Sequence, residues 1–237
     1  VLQAAGYTVH VVRAANGRSP CCGRTHLASG QTSLAHAKAR SLVDTLLPFA
    51  ARGITIVGLE PSCLLTLRDE YLVMGLGEAA RTVAAQALLF EEFVVREARA
   101  GRFAPAWDEA EQPMLVHGHC HQKAFGLMDG VLAALRLLPG AQVSLIDSSC
   151  CGMAGSFGYE AAHHEASMRM AELSLLPAVR AAGDAVIVAD GTSCRHQIAD
   201  GASRQALHVA QVLALHLADD DLGGGASGYT ELRARTR

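Results

Sequence analysis

Aromatic residues make up only 5% of the 237-residue chain and charged residues only 18%. So little aromatic surface argues against an all-β sandwich. The Ala, Leu and Val behind most of the 50% hydrophobic content suit helices packed on a buried parallel sheet. No apolar run reaches the roughly 18 residues of a membrane-spanning helix, so no transmembrane segment is expected. A net charge of −3 gives no reason to expect nucleic acid as a partner. Residues 1–12 lack a basic stretch and a cleavage site, which excludes a secretory leader there. The chain has no initial Met. Its opening, VLQAAGYTVHVV, reads as a helix end, a stop at Gly6 and a strand, so a fragment lacking the start of its first unit is expected. Also missing are any C-x-x-C pair and any G-x-G-x-x-G turn between strand and helix. This stretch alone is therefore not expected to oxidise a substrate.

What is present is cysteine: Cys21, Cys22, Cys63, Cys120, Cys150, Cys151 and Cys194. An odd count without a leader argues for reduced thiols acting as ligands or nucleophiles rather than a disulfide framework. The cysteines also reveal a repeat. Cys21-Cys22-Gly23 recurs as Cys150-Cys151-Gly152, and Leu46-Leu47-Pro48 recurs as Leu175-Leu176-Pro177. The approach to Cys63 (residues 54–57, then Glu60) is matched by the approach to Cys194 (residues 185–188, then Asp190). Three landmarks in one order at near-constant spacing mark an internal duplication.

Each copy reads as a short strand, the Cys-Cys-Gly loop, a long amphipathic helix, a β-branched strand and a loop with one cysteine. In the first helix Leu34, Lys38, Leu42, Val43, Leu46, Leu47 and Ala50 share a face; in the second Met168, Leu173, Leu175, Leu176 and Val179 do. Gly53 and Gly183 are the expected helix stops. Residues 75–101 read as continuous helix. The expected fold is α/β: two tandem βα repeats with parallel strands and flanking helices. Residues 1–104 hold the first repeat and connecting helix, 113–217 the second, with a linker at 105–113 and a disordered tail at 218–237.

In the second copy Cys120, the pair Cys150-Cys151 and Cys194 each follow a predicted strand. Strand ends of a parallel sheet share a crevice, so four thiols from three loops can meet there, as an iron–sulfur cluster or a tetrahedral zinc requires. Gly118, Gly152, Gly155 and Gly191 let backbone approach the sulfurs, and Met153 and Phe157 are expected to pack around the site. His117, His119 and His121 bracket Cys120, as hydrogen-bond donors to sulfur, as one non-thiolate ligand, or as strand-end histidines satisfied by backbone. His196 is a similar candidate. Lys123, Arg24 and Arg195 could offset cluster charge. Glu60 and Asp190 read as loop caps more readily than as an acid–base pair.

One Cys, then Cys-Cys-Gly, then a further Cys motif, present twice, resembles the CCG cysteine-rich domain. That domain occurs in heterodisulfide reductase, in iron–sulfur subunits of glycolate oxidase and anaerobic glycerol-3-phosphate dehydrogenase, and in lactate-utilisation proteins. CCGRTHLASG, VGLEPSCLLTLRDEY, HGHCHQKAFG, SSCCGMAGSFGYE and VADGTSCRHQ are similar to the C-terminal iron–sulfur part of bacterial FAD-linked D-2-hydroxyacid dehydrogenases of the D-2-hydroxyglutarate or D-lactate type. The resemblance implies an electron-transfer module and a 4Fe–4S cluster on Cys120, Cys150, Cys151 and Cys194. It implies a weaker second site at Cys21, Cys22 and Cys63, and cofactor-binding roles for His119, His121 and His196. It also implies FAD in an upstream domain or subunit, an unspecified electron acceptor, and a cytoplasmic setting that includes attachment to the inner membrane face. Where the family closes each repeat with C-x-x-C, this chain has Thr66 and Gln197. A structural or interaction module with zinc or no metal is the alternative, and thiol–disulfide catalysis at Cys150 or Cys151 a third.

Overall fold

The computed structural model describes residues 1–13, 17 and 19–218; the expected tail beyond residue 218 lies outside them. The fold is α/β with parallel strands throughout its two sheets. In the first half, α1 (Arg24–Ala28) follows the Cys-Cys-Gly turn and α2 (Thr32–Ala50) runs back along it. Next come β1 (Ile56–Gly58), α3 (Pro61–Arg68), α4 (Glu70–Val73), α5 (Gly77–Gln86), β2 (Ala87–Leu89) and α6 (Phe90–Arg99). The second half runs β3 (Met114–Val116), α7 (Cys120–Ala124), α8 (Met128–Leu135), β4 (Val143–Leu145), a 3-10 turn at Phe157–Tyr159, α9 (His164–Glu172) and α10 (Leu175–Ala181). It ends with β5 (Val186–Val188), α11 (Thr192–Ala202), β6 (Ala206–Leu207) and α12 (Val209–Leu215).

Strand order positions the site. The larger sheet is ordered β4-β3-β5-β6, so β3 lies between β4 and β5. The chain leaves β3 towards one side and returns past it to the other. That is a topological switch point, where a crevice opens at the carboxyl ends of neighbouring strands. The segments leaving β3, β4 and β5 carry the second half's cysteines: Cys120 opens α7, Cys150 and Cys151 lie in the loop after β4, and Cys194 lies in the first turn of α11.

Several expectations need correcting. Residues 75–101 are not one helix: Ala87–Leu89 forms β2, which pairs with β1 in the register Val57↔Leu88. The second half repeats this pairing as Val188↔Leu207. Apolar runs of three cannot be told from buried helix by periodicity, and the helical residues on both sides masked the strand. No strand forms over residues 7–13. The buried face of α2 is Ala35, Ala39, Leu42, Val43, Leu46 and Ala50, while Leu34 is half exposed and Lys38 lies outside the core. Small side chains are needed there because α1 comes close: a Cβ on Gly23 would sit 2.8 Å from the Ala35 carbonyl oxygen. The second long helix is broken into α9 and α10, leaving Leu173 exposed. The break falls one turn before Pro177, whose ring crowds the carbonyl four residues earlier. Gly53 and Gly183 do end their helices at positive φ. The segment 105–113 is tied down, with Trp107 bridged to Leu217.

The central core joins the halves. Phe90, Phe93 and Val94 of α6 pack with Val131 and Leu135 of α8, Val209 and Leu213 of α12, and Met114, Val116 and Val188 of the sheet. Each such side chain contributes about 1.5–3 kcal/mol on burial. Among the described residues no helix is long and apolar enough to cross a membrane.

Candidate metal centre

The sulfurs of the second half form a chain of near contacts. Cys120 Sγ lies 3.9 Å from Cys150 Sγ, and Cys194 Sγ lies 3.5 Å from Cys151 Sγ. Cys150 and Cys151 are neighbours in the chain and so link the two pairs. All are free thiols. Cys151 and Cys194 are sealed in an apolar pocket with Ile146, Met153, Ile187 and Ile198; Cys120 and Cys150 are partly exposed. The expected convergence of the three loops is present.

The turn that presents Cys150 and Cys151 depends on glycine. Gly152 has φ +88°, and a Cβ there would lie 2.2 Å from the Ser167 carbonyl oxygen. Its N–H donates to Cys150 Sγ at 3.2 Å. Gly191, the residue before α11, must also be small, because a Cβ would strike His119 Cδ2 at 2.3 Å and meet Cys194 Sγ at 3.1 Å.

The first half repeats the turn. Gly23 has φ +78°, and its N–H donates to Cys21 Sγ at 3.4 Å. Cys22 Sγ lies 3.1 Å from Cys63 Sγ, while Cys21 is exposed. Tyr71, in α4, anchors the turn by donating its hydroxyl to the Cys22 carbonyl at 2.7 Å.

The proton affinities within each thiol set are linked. The hydrogen bond between Cys22 and Cys63 holds Cys22 down at about 7 and drives Cys63 upward. In the second set the contact with Cys120 pushes Cys150 down, and the contact with Cys151 pushes Cys194 well down. Cys120 and Cys151 rise correspondingly. One proton per pair leaves readily and the next is retained against a buried negative charge. A thiophilic cation removes that barrier, because binding exchanges protons for metal.

Among the described residues one His/Cys/carboxylate group has the compactness a metal needs. A ring nitrogen of His117, Cys151 Sγ and Cys194 Sγ all lie within 4.8 Å of one another, and all three residues are buried. His117 Nδ1 meets Ser148 Oγ at 2.9 Å, while buried Nε2 has no hydrogen-bond partner. Soft sulfur donors, an apolar wall and an unpartnered imidazole nitrogen fit a thiophilic metal centre.

The other predicted residues have different places. His119 caps α7, with Nδ1 accepting from the His121 N–H, and its ring stacks on His121 at 5.2 Å. His121 Nε2 accepts from Arg24 at 3.2 Å, and Arg24 also pairs with Glu70. These two imidazoles therefore lie between the thiol sets. His196 is exposed and hydrogen bonded to Tyr159 at 2.6 Å, on the outer face of α11. Gln197 points inward but is engaged with Ser167 Oγ and its carbonyl. Thr66 bonds back to the Ser62 carbonyl. Lys123 donates to the Ser148 and Ser149 carbonyls and Arg195 to the Ala189 carbonyl, so both brace loops. Glu60 accepts from the Thr192 N–H and hydroxyl, and Asp190 from the Val209 N–H.

A family model described as a cysteine-rich domain, CCG, matches residues 2–68 and 114–199, more than half of the chain. The chain belongs to the CCG cysteine-rich domain family. This CCG protein is 26% identical over 219 residues to a subunit of the anaerobic glycerol-3-phosphate dehydrogenase of Escherichia coli K12. The match covers 92% of the chain and 54% of that protein. It is 32% identical over 161 residues to D-2-hydroxyglutarate dehydrogenase of the same strain, covering 68% of the chain and 15% of that protein. The corresponding enzyme of Pantoea ananatis is 31% identical over 161 residues. The CCG chain thus spans about half the length of the first relative and a small part of the other two, all three of them dehydrogenases or dehydrogenase subunits. The two matched segments of the family model each contain one Cys-Cys-Gly turn.

Proposed function

We propose that the chain is an iron–sulfur electron-transfer module serving a flavin-linked dehydrogenase of the D-2-hydroxyacid type, D-2-hydroxyglutarate or D-lactate. The observation that carries this reading is the gathering of Cys120, Cys150, Cys151 and Cys194 at one switch point of a parallel sheet. A 4Fe–4S cluster held by those four thiols would supply one-electron redox chemistry, which no side chain here can perform alone. The residues present perform the supporting tasks. Cys151 and Cys194, closed off by Met153, Ile187 and Ile198, keep water from the deeper side. The Gly152 N–H, directed at Cys150 Sγ, stabilises negative charge on that sulfur. Cys21, Cys22 and Cys63 form a weaker second site, with the stacked His119 and His121 rings between the sets. Substrate oxidation belongs to a flavin-bearing domain or partner, in keeping with the short span of the dehydrogenase relatives that the chain covers. Its setting is the cytoplasm or the inner membrane face.

Iron, zinc and acid-labile sulfide analysis after anaerobic purification tests the proposal. About four iron atoms with matching sulfide at the second site are expected. Cys151→Ser should remove them, and Cys63→Ser should leave them in place. Zinc bound without sulfide would instead establish a structural CCG module.

A further inference from the structure

His117 stands at the end of β3, where its N–H donates to the Val188 carbonyl of β5 at 2.8 Å. Its side chain is 1% exposed and faces Cys151 and Cys194. Ser148 Oγ, at 2.9 Å, occupies Nδ1 and fixes the ring. With the proton on Nδ1 donated to Ser148, the Nε2 lone pair is free and directed away from that bond. Nε2 is buried without a partner. Leaving such an atom unsatisfied costs roughly 1–3 kcal/mol, a penalty that persists only where something else engages it. On the helix of Cys194, Gln197 Nε2 is committed to Ser167 and His196 Nδ1 to Tyr159. His121 Nδ1 is also unpartnered, but its ring is not part of the compact group with the thiols.

We propose that His117 Nε2 is a direct ligand of the centre that Cys151 and Cys194 hold, making it a mixed thiolate–imidazole site. The inference rests on the reading that these thiols bind a metal, and it adds the nitrogen donor. Ser148 is then the positioning residue that selects the tautomer. With His117 standing in the place of one of the two partly exposed thiolates, Cys120 or Cys150, the site carries one negative charge fewer and a higher reduction potential than the four-thiolate site.

Pulsed electron paramagnetic resonance on the full chain, iron-loaded and reduced anaerobically, tests this. A strong nitrogen coupling is expected that changes on 15N-histidine labelling, disappears in His117→Gln and persists in His119→Gln and His121→Gln. His117→Cys should lower the midpoint potential. If His117 variants do not fold, labelled wild-type protein with the His119, His121 and His196 variants still assigns the signal by elimination. A cluster with no coupling, or with only the weak coupling of an imidazole hydrogen bonded to sulfur, overturns the proposal and leaves the iron–sulfur reading intact. If the protein binds zinc instead, a nitrogen scatterer at the zinc absorption edge that His117→Gln removes supports the ligand while refuting iron–sulfur function. Protein that binds neither metal refutes both.

Discussion

In the first half Cys21 lies in solvent and Cys63 is partly exposed, beside a sheet of two strands; in the second, Cys151 and Cys194 are 1% and 0% exposed beside a sheet of four. Yet the two Cys-Cys-Gly turns are nearly the same object, with a left-handed glycine whose N–H returns to the first sulfur. Local sequence dictates the turn, and the neighbouring strands dictate how deeply it is buried. Among the described residues, the second half gathers three cysteine-bearing segments with a buried imidazole, and the first half gathers two. Duplication therefore supplied two scaffolds, and among the described residues the second shows the fuller donor set.

The sharpest way to break this comparison is to add one methyl group to each turn. Gly152→Ala forces a side chain into the left-handed region and against the Ser167 carbonyl, 2.2 Å from its Cβ. We expect a loss of roughly 3 kcal/mol or more in urea unfolding, from strain plus displaced backbone. Gly23→Ala meets the Ala35 carbonyl at 2.8 Å beside the short helix α1, which has no buried residue of its own. Its cost should be about 1–2 kcal/mol. Equal losses would mean that the two turns are equally constrained.

A second asymmetry lies where the halves meet. β2 leads into α6 as β6 leads into α12, and Glu92 and Gln211 reach back to matched backbone N–H groups. By that correspondence Glu91 answers to Ala210, and Glu91 is almost wholly buried. Gln122 Nε2 bridges it to Asp190, at 2.6 and 2.8 Å. Burial, then the Asp190 charge, raises the Glu91 carboxyl to about 8. The fold therefore favours the protonated acid. Stability from this group is complete below the ordinary carboxyl value and drains away as pH rises to about 8, by up to about 1.4 kcal/mol per pH unit. Glu91→Gln keeps the shape and the Gln122 bond without titrating. Relative to wild type it should gain little at pH 4.5 and on the order of 4 kcal/mol by pH 8 in thermal melts. A difference constant with pH would place a charged Glu91 in the fold.

The duplication, the parallel α/β class and the meeting of Cys120, Cys150, Cys151 and Cys194 were legible because cysteine, glycine and β-branched runs punctuate the sequence at fixed intervals. β2 and β6 were not legible, each being too short for a period to show. The recurrence of Gln86-Ala87-Leu88 as Gln205-Ala206-Leu207 was the available signal. Nor could spacing rank the histidines. His117, His119 and His121 alternate along five residues, and only the packing of β3 beside β4 and β5 sends the first to Ser148 and the thiols while the others cap and stack. His196 fell on the outward side of α11, which a single cysteine-bearing loop does not reveal.

Glu60 offers the smallest test and the most direct one of whether the halves act together. Its carboxylate, from the loop after β1, accepts from the Thr192 N–H and hydroxyl, both at 2.9 Å, at the start of the helix that carries Cys194. Burial pushes this carboxyl upward, but the bonds from Thr192 and Ser62 outweigh it and hold it below its ordinary value. The contribution to stability is therefore present at neutral pH and lost as pH falls through the lowered value. Because the group is partly exposed, screening limits it to about 1 kcal/mol. Glu60→Gln should destabilise the chain by that amount at pH 7 and by almost nothing near pH 3. It should also lower metal retention at the second site while leaving Cys21, Cys22 and Cys63 untouched. If retention there is unchanged, the second half holds α11 without help from the first, and the shared core alone couples the two halves.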